Sequence, residues 1–338
     1  MKAVTAKFAG LAGAAIGLVM STQASADVYG LSYLDIDNLA VIFTNVESGG
    51  PGLFTFETDQ NARLNNVSDP SDGAASCSGV FPSAGDCPYV VPVLSGTAQN
   101  APGGGLVRAE NDYQKFGQTA EYSNTEAAII DSTLVAAANG GSAPTSTEQI
   151  AESNLQSGTQ ASASTVVQSN TSLSFDFTAG PGGTFIVQFD AALDVKSEVT
   201  GADVGFGLAQ ANSSVSVLLQ SNGQAQASWV PGSGSIFCGT GLTCTVTETA
   251  LNLTNSTSTG GAANRAAGNG SYRLLVTGLQ DGQNYNLALA ATTSTNLARV
   301  NQPPPPEKIP ALPPGVLLLL GCGLLTTALR ALHSGATR

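Results

Sequence analysis

Ser172-Leu173-Ser174-Phe175-Asp176-Phe177-Thr178, then Ala179-Gly180-Pro181-Gly182-Gly183, then Thr184-Phe185-Ile186-Val187-Gln188-Phe189-Asp190, is the stretch that decides the fold. Leu173, Phe175 and Phe177 alternate with polar residues at a period of two, which puts the apolar side chains on one face of a strand and leaves the other face wet. Phe185, Val187 and Phe189 repeat the pattern beyond a Gly/Pro turn. Downstream, strands are expected over residues 202–210, 214–220, 225–230, 243–253, 272–279 and 285–293, spaced by turn sequences such as Asn222-Gly223 and Asp281-Gly282. Strands at this spacing predict an all-β fold, an antiparallel β-sandwich or jelly roll with long Gly/Ser-rich loops.

Upstream of that stretch the pattern weakens. Residues 29–35 and 39–44 are short apolar or alternating runs separated by Asp35-Ile36-Asp37-Asn38, which reads as a hairpin. Residues 46–102 are rich in Gly, Ser, Pro and Asp and read as long loops around strands at 53–56 and 89–94. Two weakly similar segments, beginning Thr125-Glu126 and Thr147-Glu148, predict a pair of units that pack together. Ala, Glu and Leu allow a helix over 125–138, while the β-branched and Ser/Thr content allows a strand. The body of the chain, residues 27–302, is read as one large domain or two, with a possible division near 165.

The chain carries 24 acidic and 12 basic side chains, a formal charge of −12. Lys2, Lys7, Lys308, Arg330 and Arg338 lie outside the body, so the body is more acidic still. An acidic surface opposes nucleic acid as a partner, because phosphate backbones need cationic faces. Only 11% of residues are charged, which leaves a surface of uncharged polar side chains.

Both ends carry targeting patterns. Lys2 and Lys7, an apolar run over 8–20 and Ala24-Ser25-Ala26 have the three parts of a secretory signal in order, so export through the Sec machinery and signal-peptidase cleavage between Ala26 and Asp27 are expected. At the other end Pro303-Pro304-Pro305-Pro306 favours an extended spacer. It leads to Ile309-Pro310-Ala311-Leu312, an apolar block over 315–329, and Arg330, His333 and Arg338. The 15-residue block is shorter than the roughly 20 residues that span a bilayer, and the basic end belongs in the cytoplasm.

This tail resembles the PEP-CTERM class of C-terminal sorting signals of Gram-negative bacteria. Ile309, Pro310, Ala311 and Leu312 are similar to its IPTL-type motif. The resemblance implies an exosortase-like transpeptidase as partner, transient membrane anchoring through the tail, delivery to the cell surface, and a structural or adhesive, non-enzymatic role associated with exopolysaccharide matrix and biofilm. The alternative reading of the tail is a plain single-pass membrane anchor. Residues 272–279 and 285–293, joined by Gln280-Asp281-Gly282-Gln283, look like the closing hairpin of surface domains that end in such a tail.

Chemistry-bearing residues are few. Cys77 with Cys87 and Cys238 with Cys244 form two local pairs, expected as disulfides in an oxidising compartment. His333, the only histidine, lies beyond the apolar block, which excludes a Ser-His-Asp triad or a histidine metal site from the body. Asp35, Asp37 and Asn38 are an oxygen-rich calcium candidate that lacks the Gly and distal Glu of a calcium loop, and an acidic turn is the competing reading. Asp190 with Asp194, or Glu110 with Asp112, supply the carboxylates for the alternative function, carbohydrate binding or cleavage. Trp229 either stacks on a sugar or covers the core. No catalytic set and no cofactor is expected.

Overall fold

The structure, a computed structural model, describes residues 27–46, 52–64, 67–68, 73–81, 91–98, 113–117, 121–130, 135–136, 145–156, 164–201 and 204–299. The cleavage residues Ala24 and Ala26, Cys87, Glu110, Asp112 and the sorting motif from Ile309 to Leu312 lie outside the described residues. The chain runs through β1 (Asp27–Val46), β2 (Gly52–Leu64), β3 (Val67–Ser68), β4 (Gly73–Phe81), β5 (Val91–Ala98), β6 (Tyr122–Ile130), β7 (Val135–Ala136) and β8 (Thr145–Gln156). It continues with β9 (Ser164–Val199), β10 (Gly207–Ser221), β11 (Gln224–Val230), β12 (Ser235–Cys238), β13 (Thr243–Glu248), β14 (Asn255–Thr259), β15 (Asn264–Thr277) and β16 (Asn284–Arg299). Every pairing is antiparallel except the short parallel contact of β7 with β1.

The 36 residues of β9 serve both layers of the sandwich. Residues 164–178 pair with β2 and β16, within a first sheet ordered β12-β11-β10-β16-β9-β2-β4. Residues 184–199 pair with β1 and β15, within a second sheet ordered β5-β6-β8-β1-β9-β15-β13. Between them Gly180-Pro181-Gly182-Gly183 turns a corner, so the strand changes sheets and does not fold back on itself. Pro181 can sit there because a corner needs no ladder donor. Gly182 is at φ 67°, in the left-handed region that favours glycine.

Apolar faces from the two sheets meet in one core. Leu34, Ile36 and Phe43 of β1, Phe185 and Phe189 of β9, and Tyr272 of β15 come from the second sheet. Phe175, Phe177, Val217, Trp229, Tyr285 and Leu287 come from the first. Their rings interlock, with Phe43 and Phe177 at 4.6 Å, Phe177 stacked on Tyr285 at 5.6 Å and Phe189 stacked on Tyr272 at 5.3 Å. Each such side chain contributes about 1.5–3 kcal/mol on burial, so the alternating runs supply most of the adhesion between layers.

A disulfide closes one side of the sandwich. Cys238 ends β12, at the edge of the first sheet, and Cys244 lies in β13, at the edge of the second, with Cα atoms 6.0 Å apart. Nearby, Trp229 Nε1 and the Gly232 amide both donate to Glu248 Oε2, at 2.9 and 2.8 Å, and tie the same two layers by a polar contact.

Three expectations are corrected. The hairpin expected over 29–44 is the single strand β1, because Asn38, at φ 55°, forms a bulge at which the register with both neighbours shifts. Residues 207–221 form one strand, β10, across the break expected after 210. The expected closing hairpin does not form: β15 lies in the second sheet and β16 in the first. The turn Gln280-Asp281-Gly282-Gln283 bonds to the β9 corner instead, through Gly282 N to Ala179 O at 2.8 Å and Ala179 N to Gln283 O at 3.0 Å. Of the helix and the strand both left open from residue 125, the structure has strand, β6, from Tyr122 to Ile130; it pairs with β8, so the two similar segments are neighbours, as expected. Among the described residues no helix is long and apolar enough to cross a membrane.

Candidate functional site on the outer face of the second sheet

Alternation along β1 sends Val28, Leu34 and Ile36 inward, while Tyr29, Leu31, Tyr33, Asp35 and Asp37 face away from the core. The register places Asp35 between Glu148 of β8 and Ala192 of β9, and Asp37 opposite Asp190 of β9, whose other neighbour is Ser271 of β15. Four carboxylates from three strands thereby gather on one face, beside a groove of about 370 Å³ lined by Asp35, Asp37, Asp190, Asn269 and Ser271.

Hydrogen bonds divide these carboxylates into two kinds. Asp190 accepts from Ser271 Oγ at 2.6 Å and from Asn38 Nδ2 at 2.9 Å, and these two donors hold its carboxyl below the ordinary value. Ser146 Oγ donates to Asp37 Oδ1 at 2.8 Å. Asp35 has gone the other way: burial first, then the charges of Asp37 and Glu148, push it up to about 7. Burial, with Asp37 beside it, also raises Glu148. A carboxyl that is part-protonated near neutrality thus shares a groove with one that stays ionised, a pairing able to donate and accept a proton or to bind hydroxyl groups. Among the described residues no three Asp, Glu, His or Cys side chains stand close enough to hold a metal ion.

Asp194 belongs to a different arrangement. Its distance along β9 from Asp190 keeps it on the same face, but Arg265 grips it from β15 and Lys115 pairs with it from above. Lys115 lies in a strap, residues 113–117, that crosses the outer face, with its ammonium 5.0 Å from the Tyr33 ring centre. The strap is anchored by Glu152, which accepts from the Phe116 amide at 3.1 Å, the Gly117 amide at 3.0 Å and Tyr29 Oη at 2.6 Å. Asp190 and Asp194 are therefore separate, one in the groove and one under the strap.

Trp229 is 1% exposed in the core against Phe189, so it offers no platform for a sugar. Cys238 and Cys244 are bonded as expected. Glu148, Ser271, Lys115, Glu152 and Arg265 were not singled out by the sequence. Their one readable signal was the shared strand parity of Asp190 and Asp194 with outward neighbours, which needs the register to become a site. No family model matches the chain, and no curated protein matches it.

Proposed function

We propose that the chain is an exported bacterial surface protein, structural or adhesive and not an enzyme. Its β-sandwich stands outside the cytoplasm and is sorted through the Ile309-Pro310-Ala311-Leu312 tail into an exopolysaccharide matrix. The observation that supports this most is the Cys238–Cys244 bond between the two sheet edges, since structural disulfides form and persist in oxidising compartments. The outer face of the first sheet adds to it. Asp176, Asn286 and Gln220 form one cross-strand row of polar side chains and Ser294 with Asn212 another, a surface suited to hydrated, hydroxyl-rich surroundings. Immunolabelling of intact cells tests the reading: surface label that is lost with the gene, together with loss of matrix cohesion, is expected. Label that requires permeabilised cells rejects it.

The groove supports a second reading, carbohydrate cleavage by Asp35 as proton donor with Asp190 ionised beside it. Release of reducing sugar from the matrix polysaccharide that disappears in Asp35→Asn would select this reading over the structural one.

A further inference from the structure

The stretch of chain that carries the disulfide is also the longest run of the sequence without a charged side chain. Residues 204–247 contain no Asp, Glu, Lys or Arg. Between 204 and 264 the one charged side chain is Glu248, and its carboxylate is engaged by Trp229 and Gly232. Within this zone β12 pairs with β11 on one side only, so its other backbone edge carries no strand among the described residues.

Two consecutive large apolar residues stand on that edge. Ile236 is 43% exposed and Phe237 49% exposed, half of the large hydrophobics left exposed among the described residues. Edge strands are ordinarily protected against pairing by charge, proline or an inward-pointing ionic group. β12 is protected by its shortness, at 4 residues, but carries no charge and no proline: its sequence is Ser235-Ile236-Phe237-Cys238. Its conformation is also fixed in advance. The disulfide holds Cys238 from one end, and the Gly239 amide, which donates to Gln226 O at 2.7 Å, extends the ladder with β11. A preorganised edge loses less conformational entropy when it acquires a partner strand.

Charge selects the occupant. A protein with a formal charge of −12 repels its own copies over most of its surface, and that repulsion is weakest where 44 consecutive residues are uncharged. We propose that β12 is a homotypic docking edge, where two copies of this chain pair antiparallel about a two-fold axis and pack Ile236 and Phe237 of each against the other. An isologous contact of this kind joins the two first sheets into one continuous sheet. A four-residue edge makes a small, weak interface. Weak contacts are sufficient for a protein crowded on a surface, because local concentration multiplies their effect.

The experiment is sedimentation velocity over a range of concentrations on the protein purified from its own cell envelope in detergent, with near-ultraviolet circular dichroism of Trp229 as the check of folding. A reversible monomer–dimer equilibrium is expected. Phe237→Lys should weaken it at least tenfold with the Trp229 signal unchanged, and Phe237→Leu should retain it. Thr245→Lys, on the neighbouring exposed edge strand β13, should leave it intact. A protein that remains monomeric at every concentration overturns the proposal. So does a dimer that survives Phe237→Lys, which would place the contact on another surface, and so does equal loss in Thr245→Lys. None of these results bears on whether the protein is exported.

Discussion

Arg265 holds Asp194 by two parallel hydrogen bonds, Nε to Oδ1 and Nη2 to Oδ2, each 2.8 Å long. Burial by itself would raise the Asp194 carboxyl, but the bonds from Arg265 and Lys115 outweigh it and hold it below 3.8. A depressed native carboxyl stabilises the fold at pH above its unfolded value and loses that contribution as pH falls through the native value. Replacing Arg265, whose side chain is 58% exposed, by Ala should cost about 1 kcal/mol at neutral pH. The gap to the unmodified protein should close as the pH falls below the ordinary carboxylate range, as read by urea denaturation across pH. A gap that widens on acidification contradicts the assignment.

Glu152 has the larger structural role, because it is fully buried and satisfies three donors. Its removal leaves the Tyr29 hydroxyl and two strap amides without their acceptor, and unsatisfied buried groups cost roughly 1–3 kcal/mol apiece in mutational series. Glu152→Ala should destabilise the protein by about 2–4 kcal/mol. It should also raise hydrogen exchange at Phe116 and Gly117 selectively. Uniform exchange at the strap in both proteins would show that Glu152 does not anchor it.

Asp35 reverses the usual acid dependence. Its native value of about 7 lies above the ordinary 3.8, so the native state binds more protons than the unfolded chain between those values, and stability falls as pH rises through that window. Asp35→Asn should make the fall shallower, with the part due to Glu148 remaining, while leaving the acid limb unchanged. Melting temperatures from pH 4 to pH 8 measure this, and an unaltered slope in the variant would assign the effect to another group.

The Cys238–Cys244 bond closes a loop of sequence separation 6, for which loop-closure entropy predicts about 2 kcal/mol. The double variant Cys238→Ser, Cys244→Ser should lose that much in chemical denaturation, and dithiothreitol should reproduce the loss in the unmodified protein. A reductant effect several times larger would point to a further bridge.

Much of the sandwich was legible because Leu173, Phe175 and Phe177 face a core while Ser174 and Asp176 face water, and period two records that difference directly. β1 was misread for a physical reason: Asp35-Ile36-Asp37-Asn38 has the chemistry of a turn, and a bulge built on a left-handed Asn uses the same residues. The β15–β16 connection was misread because Asp281-Gly282 marks a tight turn without saying whether the strands on either side share a sheet. β12 and β14 are short and partly exposed, so neither shows a long alternation. Of the groove, Asp35, Asp37 and Asp190 were visible as acids, but Glu148 and Ser271 joined them only through the register of β8 and β15. Glu152 was invisible because nothing local distinguishes a carboxylate that caps a strap amide from one in solvent.

Export and sorting each leave their mark on the covalent ends of the protein. Mass spectrometry of the terminal peptides of the protein isolated from its native cells tests them together. A chain that begins at Asp27, ends close to Ile309 and lacks residues 316–338 is expected. A chain that keeps Met1, or one that keeps an intact Arg338 and fractionates with the inner membrane, contradicts that expectation.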